Sequence, residues 1–298
     1  MKQFYLAEIV TKDKLIHQGI FFRPSRKPSS AKASAGKAIL WVHGLGSTFY
    51  GNVALFEAFS NACEKHGFGF ASFNNRGHDG ITGLKKIDSE SEKGYSRLTG
   101  GAGTEVFEEC VYDIDAGVAF LVQQGFEHVI VAGHSTGANK ACYYGALTKN
   151  SRAAGIILLS PLSDRLNPQG RSPRWVVPLA KFLMLIGRGN MLIPVGHYPG
   201  TPKRLLSLMG RGSNEDTFDY GDPDPKMTSF SRIVKPLFVI FAGADELADR
   251  PIKEIQMIFD QHGPKKNYQS VIIPGAFHSF NGKEEELAGT ILRWAREL

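Results

Sequence analysis

Residues 129–137 read Val129-Ile130-Val131-Ala132-Gly133-His134-Ser135-Thr136-Gly137, a β-branched apolar run that closes on the spacing Gly-x-Ser-x-Gly. Val129 to Ala132 suits a short strand buried on both faces, and Ala138 to Leu147 can continue as a helix. A serine at the joint is raised on a sharp turn, where its hydroxyl is free to attack an electrophile. The flanking glycines have a steric purpose: such a turn brings strand and helix too close for side chains at Gly133 and Gly137. The helix that follows points its positive end at Ser135 and favours negative charge there.

Outward from this turn, strand-like and helix-like stretches alternate. Leu6 to Thr11 and Leu15 to Phe22 read as an opening antiparallel hairpin. The segments 38–43, 68–73, 128–132, 155–160, 236–242 and 268–273 read as strands, and 53–65, 105–123, 138–147, 251–260 and 284–296 as helices. Within 105–123 the apolar residues Val106, Phe107, Cys110, Val111, Ile114, Val118 and Leu121 recur every 3.6 positions, which sets one stripe against a sheet. Such alternation predicts an α/β fold with a doubly wound, mostly parallel sheet, whose ligands sit beyond the carboxyl ends of the strands. Two excursions interrupt it. Residues 78–103, rich in Gly, Ser, Lys and Glu, should lie near the mouth of a site at those ends. Residues 166–234 read as an inserted cap over the serine, with 1–165 and 235–298 forming the core; the apolar run 175–186 inside it is too short to span a bilayer.

A chain of 298 residues with 42% hydrophobic content can bury a large core. Its beginning lacks the apolar stretch of a signal peptide, so the expected compartment is the cytoplasm. The three cysteines, Cys63, Cys110 and Cys142, lie far apart on expected helices and read as reduced core thiols. The formal charge of +6 invites a nucleic-acid partner, but Arg23, Arg26, Lys27, Lys32 and Lys37 fall in one Ser/Ala/Pro-rich stretch that reads as a solvated loop. Without aromatic interleaving or a recognised module, no nucleic-acid partner is expected.

A serine hydroxyl needs a histidine to take its proton and a carboxylate to orient that histidine. His278 follows the last strand in a short loop before the terminal helix, and Asp245 lies just past the strand 236–242, which gives the chain order Ser, acid, His. Glu246, Asp249 and Asp164 are rival acids. Two backbone N–H groups are needed for the developing oxyanion; Thr136 should supply one and Leu45, in the turn His43-Gly44-Leu45-Gly46, the other. No Gly-Lys-Ser/Thr follows that turn to make a phosphate cradle, and no His, Asp or Cys cluster has metal spacing, so neither metal nor cofactor is expected.

Together, His43-Gly44-Leu45-Gly46, Gly133-His134-Ser135-Thr136-Gly137, Asp245 and His278 resemble the α/β-hydrolase superfamily. With Ser160-Pro161-Leu162-Ser163-Asp164-Arg165 and Gly243-Ala244-Asp245-Glu246 added, the chain is similar to a branch that includes fungal siderophore-ester hydrolases. The resemblance implies hydrolysis of a small-molecule carboxylic ester through an acyl-enzyme. It leaves open acyl transfer or lyase chemistry on the same scaffold, and a noncatalytic binding protein. Epoxide- and halide-cleaving relatives carry Asp where this chain has Ser135.

Overall fold

The computed structural model describes residues 3–25, 36–148, 152–166, 175–195 and 198–298. Strands β1 (Tyr5–Val10) and β2 (Leu15–Phe22) form the opening antiparallel hairpin; β3 (Lys37–Val42) and β4 (Gly69–Phe73) follow, separated by α1 (Val53–His66). A second hairpin, β5 (Thr82–Ile87) and β6 (Tyr95–Gly100), precedes α2 (Cys110–Gln123), β7 (His128–His134), α3 (Thr136–Leu147) and β8 (Ala153–Leu159). After an insertion carrying α4 (Val176–Leu185), α5 (Pro202–Met209) and α6 (Thr228–Ser231), the chain closes with β9 (Leu237–Ala242), α7 (Ile252–His262), β10 (Tyr268–Ile273) and α8 (Glu284–Glu297).

The strands lie in the order β1, β2, β4, β3, β7, β8, β9, β10, and all neighbours from β4 onward are parallel. Every residue of β3, β4 and β9 is buried, which is why these strands read as continuous apolar runs rather than alternating ones. On one face Ile114, Val118 and Leu121 of α2, Ala138 and Ala141 of α3 and Phe259 of α7 cover the sheet. On the other, Phe59 of α1 stacks on Phe70 of β4, and Ile291 and Trp294 of α8 close the far side. Helices on both faces make this a doubly wound α/β fold. The cysteines Cys63, Cys110 and Cys142 are buried thiols of α1, α2 and α3.

The structure departs from the sequence reading in four places. Residues 78–103 carry the β5–β6 hairpin, which joins the sheet where Leu15 and Ile16 of β2 pair with Lys86 and Lys85, beyond the carboxyl end of β4. The helix expected from 105 begins at Cys110, after a single 3₁₀ turn over Phe107–Glu109, because Glu105 is drawn into a buried ion cluster. Lys37, read as part of a solvated loop, belongs to β3 and is buried; its ammonium donates to the carbonyls of Ala295 and Arg296 at 3.2 and 3.1 Å, satisfying the last turn of α8. Arg23 leaves that loop as well, donating to the Gln124 carbonyl, while Arg26, Lys27 and Lys32 lie outside the described residues.

The fourth concerns residues 166–234. Their first part has a small core of its own, in which Val176, Ala180 and Leu183 of α4 meet Ile193, Val195 and Leu205. Their second part does not: Phe218, Tyr220, Met227, Phe230 and Ile233 pack into the main core, with Phe230 edge-on to Phe259. Aromatic residues packed against Phe259 of α7 gain more burial there than in a separate small core. The separate unit is thus the stretch around α4 and α5.

Candidate active site

Ser135 caps α3 with φ 58° and ψ −129°, a conformation that costs a non-glycine residue roughly 1–3 kcal/mol. Neighbouring backbone holds it there. A Cβ on Gly133 would lie 2.0 Å from the Gly137 carbonyl oxygen, one on Gly137 2.2 Å from the Val42 oxygen, and one on Gly44 2.9 Å from the Ser135 Cβ. Glycine is thus required at all three positions by close approach. The Ser135 N–H donates to the Leu159 carbonyl of β8 at 3.0 Å, which ties the turn to the next strand.

Three side chains from three strand ends meet in a line. The Ser135 hydroxyl donates to His278 Nε2 at 2.9 Å, and His278 Nδ1–H donates to Asp245 Oδ2 and Oδ1 at 2.9 and 3.0 Å. The Asp245 side chain is inaccessible to solvent and also accepts from the Leu247 N–H at 3.0 Å, so its orientation is fixed. The backbone of His278 is held from both sides: its N–H donates to Glu246 Oε2 at 2.8 Å, and its carbonyl accepts from His134 Nε2–H at 2.8 Å and Ser160 Oγ at 3.3 Å. Burial, and secondly the neighbouring His278, lower the His134 pKa to about 4, which keeps its ring neutral; it lies stacked on Trp41 with centroids 5.9 Å apart.

Of the rival acids, Glu246 accepts from the backbone N–H of His278, Asp249 pairs with Arg250, and Asp164 sits among other charges behind α3. Among the other histidines, His17 bonds Asp113, His78 bonds Asp79, and His262 bonds the carbonyls of Ile258 and Pro225. His197 lies outside the described residues.

The glycine turn is organised by His43, to which the sequence reading gives no part. The Asn75 N–H donates to His43 Nε2 at 3.1 Å, which leaves the ring proton on Nδ1, and Nδ1–H donates to the Gly44 carbonyl at 2.9 Å. Burial above all, then Lys140, lowers the His43 pKa to about 3, so this tautomer persists. A second donor, the Ser47 N–H, reaches the same carbonyl at 3.2 Å. With the Gly44 oxygen held, the Leu45 N–H of the same planar trans peptide points the opposite way, and among the described residues it has no hydrogen-bond partner. Thr136, as the first residue of α3, has an N–H with no acceptor one turn back. The ring of Tyr198, from the insertion, lies against this turn: a Cβ at Gly46 would be 2.8 Å from it.

Behind α3 is a buried ion cluster that no motif announces. Lys140, wholly inaccessible, donates to Glu105 Oε2 at 2.7 Å and Asn75 Oδ1 at 3.1 Å; Arg204 of α5 donates to Glu105 Oε1 at 2.8 Å and to both oxygens of Glu215. A continuous path of hydrogen bonds therefore runs from the insertion through Arg204, Glu105, Lys140, Asn75 and His43 to the Gly44 peptide. Asp164 lies near it with an unpartnered Oδ2, and burial, followed by the charge of Glu215, raises its pKa to about 8.

A cavity of about 300 Å³ is lined by Trp41, His43, Ser47, Asn52, His134 and Ser279, the neighbours in sequence of the candidate residues Ser135 and His278 among them. A larger one, about 690 Å³, lies away from it between Thr104–Glu108 and the insertion residues Met184, Leu192, Lys203 and Ser207. Among the described residues no group of three His, Cys, Asp or Glu is placed to hold a metal ion, and no helix is long and apolar enough to cross a membrane.

The strand order and the serine turn define an α/β-hydrolase fold, and solved structures agree. The esterase Pf2001 of Pyrococcus furiosus is 17% identical with a TM-score of 0.61, covering 99% of this chain and 91% of its own. A thermostable carboxyl esterase from Bacillus coagulans, solved with glycerol, is 16% identical with a TM-score of 0.62, covering 99% and 98%. The siderophore hydrolase EstB of Aspergillus fumigatus is 18% identical with a TM-score of 0.62, covering 99% and 96%. At such identities the likeness concerns the fold, since one fold hosts many chemistries. No curated protein matches the sequence. Residues 16–294 match the family described as Protein of unknown function (DUF1749), and the chain belongs to that family.

Proposed function

We propose that this protein is a serine hydrolase that cleaves small-molecule carboxylic esters through an acyl-enzyme. Ser135 Oγ attacks the acyl carbon as His278 Nε2 takes its proton. Asp245 holds Nδ1–H and stabilises the imidazolium that forms. The N–H groups of Leu45 and Thr136 receive the oxyanion; losing one such donor typically costs about 3 kcal/mol of transition-state stabilisation. The imidazolium then gives its proton to the leaving alcohol. Water, deprotonated by the same nitrogen, attacks the acyl-enzyme and frees the acid and Ser135. The stretch around α4 and α5 serves as the cap.

The observation that carries this reading is the unbroken line from Ser135 Oγ through both nitrogens of His278 to Asp245, with each link 2.9 Å. That the structural neighbours include esterases and a siderophore hydrolase supports it. The test is hydrolysis of p-nitrophenyl butyrate. Wild-type protein should turn it over and label with a fluorophosphonate, whereas Ser135→Ala should lose both, with a fall in rate of roughly four to six orders of magnitude. Equal turnover by the two proteins would reject the assignment.

A further inference from the structure

Helix α4 is apolar on two sides. Val176, Ala180 and Leu183 face inward, as a helix packed on a domain requires. Trp175, just before the helix, and Phe182 and Leu185 within it recur at i, i+7 and i+10 on the opposite side, and they are 55%, 56% and 84% exposed. The turn that follows adds Ile186, Met191 and Leu192, all exposed. A helix that is apolar all round is ordinarily enclosed, and a monomeric soluble protein rarely leaves so many large apolar side chains together on its surface.

Charge identifies what covers this face. Between Asp164 and Glu215 the sequence holds eight Lys and Arg and no carboxylate at all. Three of those cations are taken up by acids from beyond the stretch: Arg165 by Asp216 and Asp222, Arg204 by Glu105 and Glu215, and Arg211 by Asp222. Lys181, Arg188 and Lys203 have no carboxylate partner among the described residues. A tryptophan, a phenylalanine and branched aliphatics bordered by free cations are the composition of a helix that lies in the plane of a membrane surface. A second copy of the chain fits less well, because twofold pairing of this face would bring Lys181 and Arg188 against the same cations.

We propose that the outer face of α4 and the turn after it dock on the surface of an anionic phospholipid bilayer. The helix lies on the bilayer and does not span it: α4 has 10 residues, about half of what a crossing needs. From the docked turn the chain passes through the Ile193–Gly200 bridge, next to Tyr198, whose ring rests on Gly46 and Gly80 beside the serine. Docking therefore places the mouth of the candidate site close to the lipid surface. The docking itself does not depend on the proposed hydrolysis, and its test uses no turnover.

Trp41 and Trp294 are buried and Trp175 is exposed, so tryptophan emission reports on this face. The full chain is mixed with vesicles of phosphatidylcholine alone, or of phosphatidylcholine and phosphatidylglycerol in equal parts, and binding is read by co-sedimentation and by the blue shift of emission. Wild type should bind the anionic vesicles at least roughly tenfold more tightly than the zwitterionic ones, since each cation near an anionic surface is worth roughly a fivefold gain. The shift should vanish in Trp175→Phe. Phe182→Ser/Leu185→Ser should reduce binding to background with an unchanged unfolding temperature, and Lys181→Gln/Arg188→Gln/Lys203→Gln should erase the preference for anionic lipid. No binding to anionic vesicles, or binding that survives Phe182→Ser/Leu185→Ser, overturns the proposal. So does a wild-type dimer that ignores vesicles and that the same double variant converts to a monomer, which assigns the face to a second copy.

Discussion

The carboxyl edge of the central sheet and the insertion beside it are built on opposite plans. At the sheet edge, each candidate group follows the carboxyl end of a parallel strand: Ser135 one residue past β7, Asp245 three past β9 and His278 five past β10. The stretch around α4 and α5 has a core of only a few aliphatic side chains and is fastened by charge, through Arg204 to Glu105 and on to Lys140 beneath α3. The difference separates a region held by strand register from one held by buried charge. Geometry at the sheet edge is dictated by strand register, whereas the position of the insertion depends on a few buried ions whose arrangement no register imposes.

The largest expected effect tests whether the sheet edge alone carries the chemistry. Asp245→Asn keeps the shape but offers His278 the wrong tautomeric partner, and p-nitrophenyl butyrate turnover should fall roughly 10⁴-fold. Glu246→Gln alters a contact to the His278 backbone rather than to its ring and should cost about tenfold or less. Similar losses in both variants would mean that the two carboxylates act as one unit and that the assignment of the acid is incomplete.

Next in size is the joint between the two regions. Removing Lys140 leaves Glu105 buried beside Arg204 with one partner fewer, and breaking a buried pair from one side typically costs about 3–5 kcal/mol. Lys140→Met should therefore lower stability by about that amount in urea unfolding. Because Lys140 also holds Asn75, which positions His43, the folded variant should lose turnover as well, by less than Asp245→Asn. A stable Lys140→Met protein with full turnover would show that the ion cluster neither fastens the insertion nor supports the glycine turn.

The two plans also differ in how far they could be read from sequence. The sheet was legible because buried parallel strands leave unbroken apolar runs, and the ends of those runs are where the candidate residues Ser135, Asp245 and His278 were sought. The β5–β6 hairpin was not, since Leu84 alone of β5 is buried and no alternation marks the strand. The ion cluster was not legible either: Glu105, Lys140, Arg204 and Glu215 share no spacing, and each looks like an ordinary surface charge until the fold brings them together. Lys37 misled for the converse reason. Its neighbours in sequence are loop-like, and its partners, the carbonyls of Ala295 and Arg296, lie at the other end of the chain.

The last expected effect is a tilt of stability with pH, and the two regions tilt in opposite directions. At the sheet edge, His134 and His43 have pKa values lowered to about 4 and about 3, so between pH 6.5 and those values the unfolded chain binds protons that the native state does not. Their contribution to stability is thus lost as pH falls through that window. At the joint, Asp164 has a pKa raised to about 8 from an ordinary 3.8, so across that interval the native state keeps a proton that the unfolded chain has released. Stability there falls as pH rises and levels off above 8. Urea unfolding of wild type and Asp164→Asn at pH 5, 7 and 9 isolates the second tilt, because the asparagine cannot ionise. The variant should gain on wild type from pH 5 to pH 9, and a gap that stays constant would place the Asp164 carboxyl in water rather than among the buried charges behind α3.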